Sequence, residues 1–253
     1  MNLAGPATRM RHAAHALVMA KRHLTGSLDV PELALLRRFI AHDSTCLDIG
    51  AHAGSWSRPL SRLAPEGIVY SFEALPYYAD VLRILFRLLH LSNARVVNVA
   101  VSDRQGVLKI AWKDEQGRRL TGTTHVLGSH EAAVSVVEVP SVSLDHFVAR
   151  ERIARVDFIK VDVEGAEMFV YAGARGLLHR CRPVVFCELD ERWTARYDYD
   201  TDKVFDLFES LGYGAYTITG AAKALRTDRH TYSRRGDVLF VPDGKRHLLG
   251  VEG

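Results

Sequence analysis

The sequence predicts one α/β domain built on a doubly wound, mostly parallel open sheet. Three observations predict it. Strand and helix patterns alternate from Thr45 onward. Two apolar runs, 156–162 (VDFIKVD) and 183–189 (PVVFCEL), are short and little alternated, as expected of strands covered on both faces. A glycine-bearing turn directly follows the first strand pattern, at the carboxyl edge where such sheets hold ligands.

Composition agrees. The chain of 253 residues is 47% apolar and 25% charged, which suits one large globular core. No apolar run reaches the ~20 residues of a membrane span. Residues 1–24 lack an uninterrupted apolar stretch with a cleavage site, so no secretory signal is expected. Cys46, Cys181 and Cys187 are the only cysteines and form no CxxC. That spacing fits a reducing cytoplasm and leaves no cysteine zinc cage. A net charge of +3 suits an anionic substrate or membrane surface but is no nucleic-acid footprint.

In chain order, residues 1–44 read as an N-terminal helical extension and 45–253 as the domain. Segment 7–24 forms a helix with Met10, Ala14, Leu17 and Val18 on one side and Arg9, Arg11, Lys21 and Arg22 around it. It either covers one end of the core or attaches peripherally to an anionic membrane surface. A second helix follows Pro31, with Leu33, Leu36, Phe39 and Ile40 at helical spacing. Strands are predicted at 45–50, 68–73, 95–101, 156–162, 183–189, 213–219 and 236–241. Helices are predicted near 54–64, 76–91, 143–151, 165–178 and 201–211. Helix 76–91 is apolar around most of its circumference, which suits sheet packing and also a homodimer contact. Between about 104 and 140 the alternation gives way to a β insertion, VLKIAW and VSVVEV around a polar stretch. Arg118, Arg119, Thr121 to Thr124, His125 and His130 in that stretch suit either a lid or a solvated loop.

The first turn reads Leu47-Asp48-Ile49-Gly50-Ala51-His52-Ala53-Gly54. Gly50 permits a tight turn and close approach of a ligand, and Gly54 permits close helix packing. Ala51 and His52 break the G-x-G-x-x-G of a dinucleotide site. Asp48 would repel a pyrophosphate but attract the ammonium and lie near the sulfonium of a methionine moiety. Glu73 closes the second strand, roughly twenty residues after the turn, where an acid suits ribose hydroxyls. Together these residues point to S-adenosylmethionine.

The sequence resembles the FkbM-type methyltransferases from about Cys46 to Asp190. The resemblance rests on LDIGAHAG, YSFEALP, NVAVSD, VSLDHF, DFIKVDVEGAE at 157–167 and FCELD at 186–190. It implies the seven-stranded, Rossmann-like methyltransferase sheet, S-adenosylmethionine as donor, and O-methylation, often of carbohydrate in glycolipids, polysaccharides or nodulation signals. Polyketide-type metabolites are the alternative acceptors, and a catalytically inactive cofactor-binding module is the alternative outside enzymes. By position, Asp48, Gly50 and His52 would line the methionine end and Glu73 the ribose. Ser102 and Asp103 would lie near the adenine, and Asp162 with Glu164 would face the transferring methyl. Ala51, Gly54 and Ala74 complete the candidate cofactor set. Segments 1–44 and 191–253 carry no resemblance.

Methyl transfer to oxygen needs the oxygen, methyl and sulfur held in line, and a group to take the hydroxyl proton. Asp162 is the first candidate for base or acceptor-orienting group, followed by Glu164, Glu188 and His52. Helix-start electrostatics is the competing reading for Glu164 and Glu167. Asp162 and Glu188, ending adjacent strands, could share a divalent cation, but no third ligand is evident and no metal is predicted. Trp193, Tyr197 and Tyr199 suit a sugar-stacking platform or plain packing. Base methylation of nucleic acid is disfavoured, because VDVEGAE offers neither an aromatic turn nor local positive charge.

Overall fold

The structure is a computed structural model that describes residues 5–26, 30–113, 125–126, 135–219 and 223–250. Twelve strands form among them: β1 (Thr45–Ile49), β2 (Ile68–Phe72), β3 (Ala94–Val97), β4 (Ala100–Val101), β5 (Gly106–Lys113), β6 (His125–Val126), β7 (Ser135–Val142), β8 (Phe158–Val161), β9 (Val184–Asp190), β10 (Tyr213–Thr219), β11 (Lys223–Thr227) and β12 (Arg235–Pro242). The helices are α1 (Pro6–Leu24), α2 (Leu33–Leu36), α3 (Ser57–Leu63), α4 (Pro76–Leu88), α5 (Leu144–Arg150), α6 (Glu167–Ala172), α7 (Arg175–Cys181), α8 (Glu191–Thr194) and α9 (Asp202–Ser210).

The main sheet runs β11-β10-β12-β9-β8-β1-β2-β3. Its β9-to-β3 portion is parallel, and β12, β10 and β11 close it antiparallel. The order reverses between β1 and β8, the switch point at which a ligand cleft opens. The seven expected strands are present, and β11 adds an eighth at the edge. Side-chain alternation distributes the core over both faces. Leu47, Ile49, Tyr70, Phe72, Ile159 and Val161 pack with Phe147, Leu177 and Phe208 of α5, α7 and α9. Cys46, Val69, Phe158 and Phe186 pack with Leu35, Leu36 and Leu60 of α2 and α3. The pairing register sets Asp48 beside Ser71 and Lys160, a polar row in an otherwise apolar sheet.

Two predicted elements divide. The 95–101 run splits into β3 and β4, and β4 joins a second sheet ordered β4-β7-β5-β6. Asn98 turns the chain there, donating from Nδ2 to the carbonyls of Glu73 (2.8 Å) and Ala74 (2.9 Å). The predicted helix 165–178 breaks into α6 and α7 at Gly173. A Cβ at Gly173 would stand 2.1 Å from the Ser102 carbonyl oxygen, so only glycine allows this approach. Asp145 of α5 then accepts from the amides of Gly176 (2.9 Å) and Leu177 (2.7 Å), fixing the start of α7. The β insertion forms as expected in β5 and β7. Arg118, Arg119, Thr121 to Thr124 and His130 lie outside the described residues, as does the side chain of His125.

Helix α1 packs along α4 and covers apolar side chains of that helix beyond its sheet contacts. The face it uses differs from expectation. His12, Ala16, Met19, Ala20 and His23 are buried, and Met10, Ala14, Leu17 and Val18 face outward. Small alanines let the two helices approach closely, and each buried histidine has a partner. His12 meets the edge of the Tyr77 ring at 4.7 Å between centroids, and His23 Nε2 lies 3.0 Å from the Ala53 carbonyl. No helix among the described residues is long and apolar enough to cross a membrane.

Candidate active site

The turns after β1, β2 and β8 enclose a cleft of about 330 Å³ at the switch point, within the ~300–1,000 Å³ of ordinary small-molecule sites. Gly50, Ala51, His52, Glu73, Ala74, Lys160, Asp162, Glu164 and Glu188 all bound it. Gly50 lets the first turn lie against the third. Its φ is +82°, and a Cβ there would stand 1.9 Å from the Asp162 carbonyl oxygen.

Glu73 ties two of the turns together. Its carboxylate accepts from the amides of Leu75 (2.8 Å) and His52 (3.0 Å). Burial outweighs those two hydrogen bonds and pushes its pKa up to about 7. Each carboxylate oxygen keeps a further lone pair, so ribose hydroxyls could still donate to it.

At the end of β8, Lys160 is almost completely buried, and its Nζ lies 2.7 Å from Asp162 Oδ2. Burial disfavours its charge, but Asp162, Asp48 and Glu188 together hold the ammonium above the usual lysine range. Glu164 sits in the turn before α6, at φ +54°, a left-handed conformation uncommon for a side-chain-bearing residue. Burial, together with the charges of Asp162 and Glu188, pushes it up to about 8. Burial and Asp162 raise Glu188 as well. Burial lowers the pKa of His52; its ring lies 4.5 Å from the Tyr78 ring at a tilt of 50°, and its Nε2 is buried without a hydrogen-bond partner.

Four residues of the predicted site do not bound the cleft. Asp48 lies behind the Gly50 turn, fully buried, accepting from Ser57 Oγ at 2.5 Å. Its other oxygen is buried without a hydrogen-bond partner, and burial raises its pKa. Gly54 instead receives α4, with a would-be Cβ 3.1 Å from Leu82. Ser102 bonds to Asp103 at 3.1 Å, while Val99, Ala100 and Val101 form the wall at that end. That apolar wall suits the face of an aromatic base.

Glu167 and Tyr199 are structural. Glu167 is buried and accepts from the Gly165 amide (3.0 Å), and its other oxygen lies 3.1 Å from the Tyr199 hydroxyl. That hydroxyl donates to the Gly165 carbonyl at 2.6 Å, so the pair clamps the turn carrying Glu164. Tyr199 is therefore no stacking surface. Trp193 sits under the Arg196 guanidinium at 4.2 Å and Tyr197 against Phe169 at 5.7 Å; neither bounds the cleft. Trp56, Tyr78 and Lys160 were not anticipated. Lys160 had a readable signal: a lysine inside a buried strand needs a partner, and a residue two positions on shares its side. Among the described residues, no group of three or more His, Cys, Asp and Glu is arranged to hold a metal.

These features fit S-adenosylmethionine on their own terms. The unpartnered His52 nitrogen lies beside the glycine turn, Glu73 offers ribose acceptors, and Val99 to Val101 offer an apolar slot. Comparison with known proteins points to methyltransferases. The 2-O-methyltransferase NoeI of Sinorhizobium fredii (strain NBRC 101917 / NGR234) is 29% identical over 179 residues, 67% of this chain and 72% of that protein. The crystal structure of methyltransferase FkbM from Methylobacillus flagellatus KT shares the fold at a TM-score of 0.52 and 15% identity. That match covers 92% of this chain, which spans 58% of the solved one. The sequence profile of the methyltransferase FkbM domain matches residues 48–214, from the buried Asp48 to the strand β10. The chain belongs to the FkbM methyltransferase domain family.

Proposed function

We propose that the protein is an S-adenosylmethionine-dependent O-methyltransferase acting on a hydroxyl of a sugar, glycan or glycolipid. The observation that carries this reading is one cleft bounded both by Glu73, with acceptor positions for ribose hydroxyls, and by four proton-handling side chains, His52, Asp162, Glu164 and Glu188. The similarity to a protein named as a 2-O-methyltransferase supports a hydroxyl as acceptor. When bound, S-adenosylmethionine supplies a methyl group activated by its sulfonium.

The chain's own residues do the rest. Glu73 and the Gly50 turn fix the donor, and positioning of this kind can contribute ~7–11 kcal/mol. His52, its unprotonated form favoured by burial and its Nε2 without a hydrogen-bond partner, takes the acceptor's hydroxyl proton. Asp162 stabilises the imidazolium that forms, as its charge favours protonated His52. This revises the expectation that Asp162 itself is the base, since one of its oxygens is already engaged by Lys160. Glu164 and Glu188, raised toward neutrality, are suited to hydrogen bonds with neighbouring hydroxyls of a polyol acceptor.

The test is transfer of labelled methyl from S-adenosylmethionine to a panel of glycans and glycolipids, followed by product analysis. A methyl ether is the expected product. Label on nitrogen or carbon, or cofactor binding without turnover on any alcohol, would refute the reading.

A further inference from the structure

We propose that the outward face of α1 is a docking surface for an anionic lipid bilayer. Met10, Leu17, Val18 and Leu24 are 73%, 59%, 55% and 70% exposed. Single exposed apolar residues are ordinary, but these four share one side of one helix. At the helical ~100° per residue, Leu24, Leu17, Met10, Ala14 and Val18 fall within a sector of about 120°. The opposite side of α1 is fixed to the domain through His12, Ala16, Met19, Ala20 and His23, so the stripe cannot turn inward.

The charges identify the occupant. Lys21 lies inside the apolar sector, and Arg11 and Arg22 line one edge of it; all three are exposed. The sequence of α1, PATRMRHAAHALVMAKRHL, contains no acidic residue. An apolar strip bordered by cations matches a surface of acyl chains beneath anionic headgroups. Lys21 can rest its methylenes along the strip while its ammonium reaches the headgroups. A second copy of the chain is a poorer occupant. A twofold pairing about Leu17 would bring the Arg11 end of one helix onto the Arg22 end of the other, and like charges would face each other. The helix that carries this surface packs near the cleft on its other side, because the ring of His15 lies 6.0 Å from that of Tyr78, a cleft-lining residue. Docking there does not depend on which hydroxyl is methylated.

The experiment is sedimentation of the full chain with vesicles of phosphatidylcholine alone and of phosphatidylcholine with phosphatidylglycerol. Partition into the phosphatidylglycerol vesicles, weakening as salt is raised, is expected. In Lys21→Gln/Arg22→Gln binding should fall about fivefold for each charge removed. Leu17→Gln/Val18→Gln should bind less than wild type at every salt concentration. Both variants change exposed positions, and unchanged thermal melts will show that they fold. Equal binding to both vesicle types, or variants that bind like the wild type, overturns the proposal. A dimer by light scattering that Leu17→Gln/Val18→Gln dissociates, with no vesicle binding by the wild type, also overturns it in favour of self-association.

Discussion

The Lys160 ammonium and the Asp162 carboxylate meet at 2.7 Å, with the lysine side chain only 6% exposed and the aspartate 31%. Because Asp48 lies beside Lys160 in the strand register, this one cation serves several acids. Lys160→Met should therefore lower the unfolding free energy by ~3 kcal/mol, the lower end for breaking a buried pair. Urea denaturation measures it; a variant as stable as the wild type would remove Lys160 from this role.

His52→Gln should reduce methyl transfer by ~10²–10⁴-fold, the usual contribution of a positioned base. Burial lowers the His52 pKa, so wild-type activity should rise with pH through an acid limb below ~6.5, the ordinary histidine value. The limb should vanish in His52→Gln and persist, at reduced rate, in Asp162→Asn. If the limb survives in His52→Gln, the proton goes elsewhere.

Glu73→Ala should weaken S-adenosylmethionine binding by ~1–3 kcal/mol, the cost of losing charged hydrogen bonds. The ionised carboxylate is the better acceptor, and its pKa is pushed up to about 7. Affinity measured by calorimetry should thus increase as pH rises through about 7. Glu73→Gln should bind with no such dependence.

Stability without ligand should fall as pH rises toward 8. Glu73 and Glu167 are raised to about 7 and Glu164 to about 8, from 4.5, and Asp237 to about 7, from 3.8. A carboxyl held above its unfolded pKa stabilises the fold fully below that unfolded value. The contribution is lost as pH climbs through the folded value. Melting temperature should therefore decline across the window from about 4.5 to about 8, and Glu164→Gln should decline less steeply. A flat profile in the wild type would show that these acids ionise freely in the fold.

The strand–helix order, the turn at Gly50 and the acids at strand ends were legible in the sequence, because local spacing encodes them. Apolar period, a glycine at a positive φ and a carboxylate closing a strand are properties of neighbours in the chain. Tertiary structure decided which of these residues share a cleft. Asp48 and Glu73 look equivalent as acids closing adjacent strands, yet the side chain of Asp48 packs back onto Ser57 while Glu73 lines the cleft. The spacing sets Lys160 and Asp162 on one side of the strand, and burial, which leaves the lysine no water to pair with, makes them one unit. The outward stripe on α1 was equally undecidable from periodicity. Alanines and partnered histidines fit closer to α4 than leucine and valine do, so shape, and not hydrophobicity, chose the buried face.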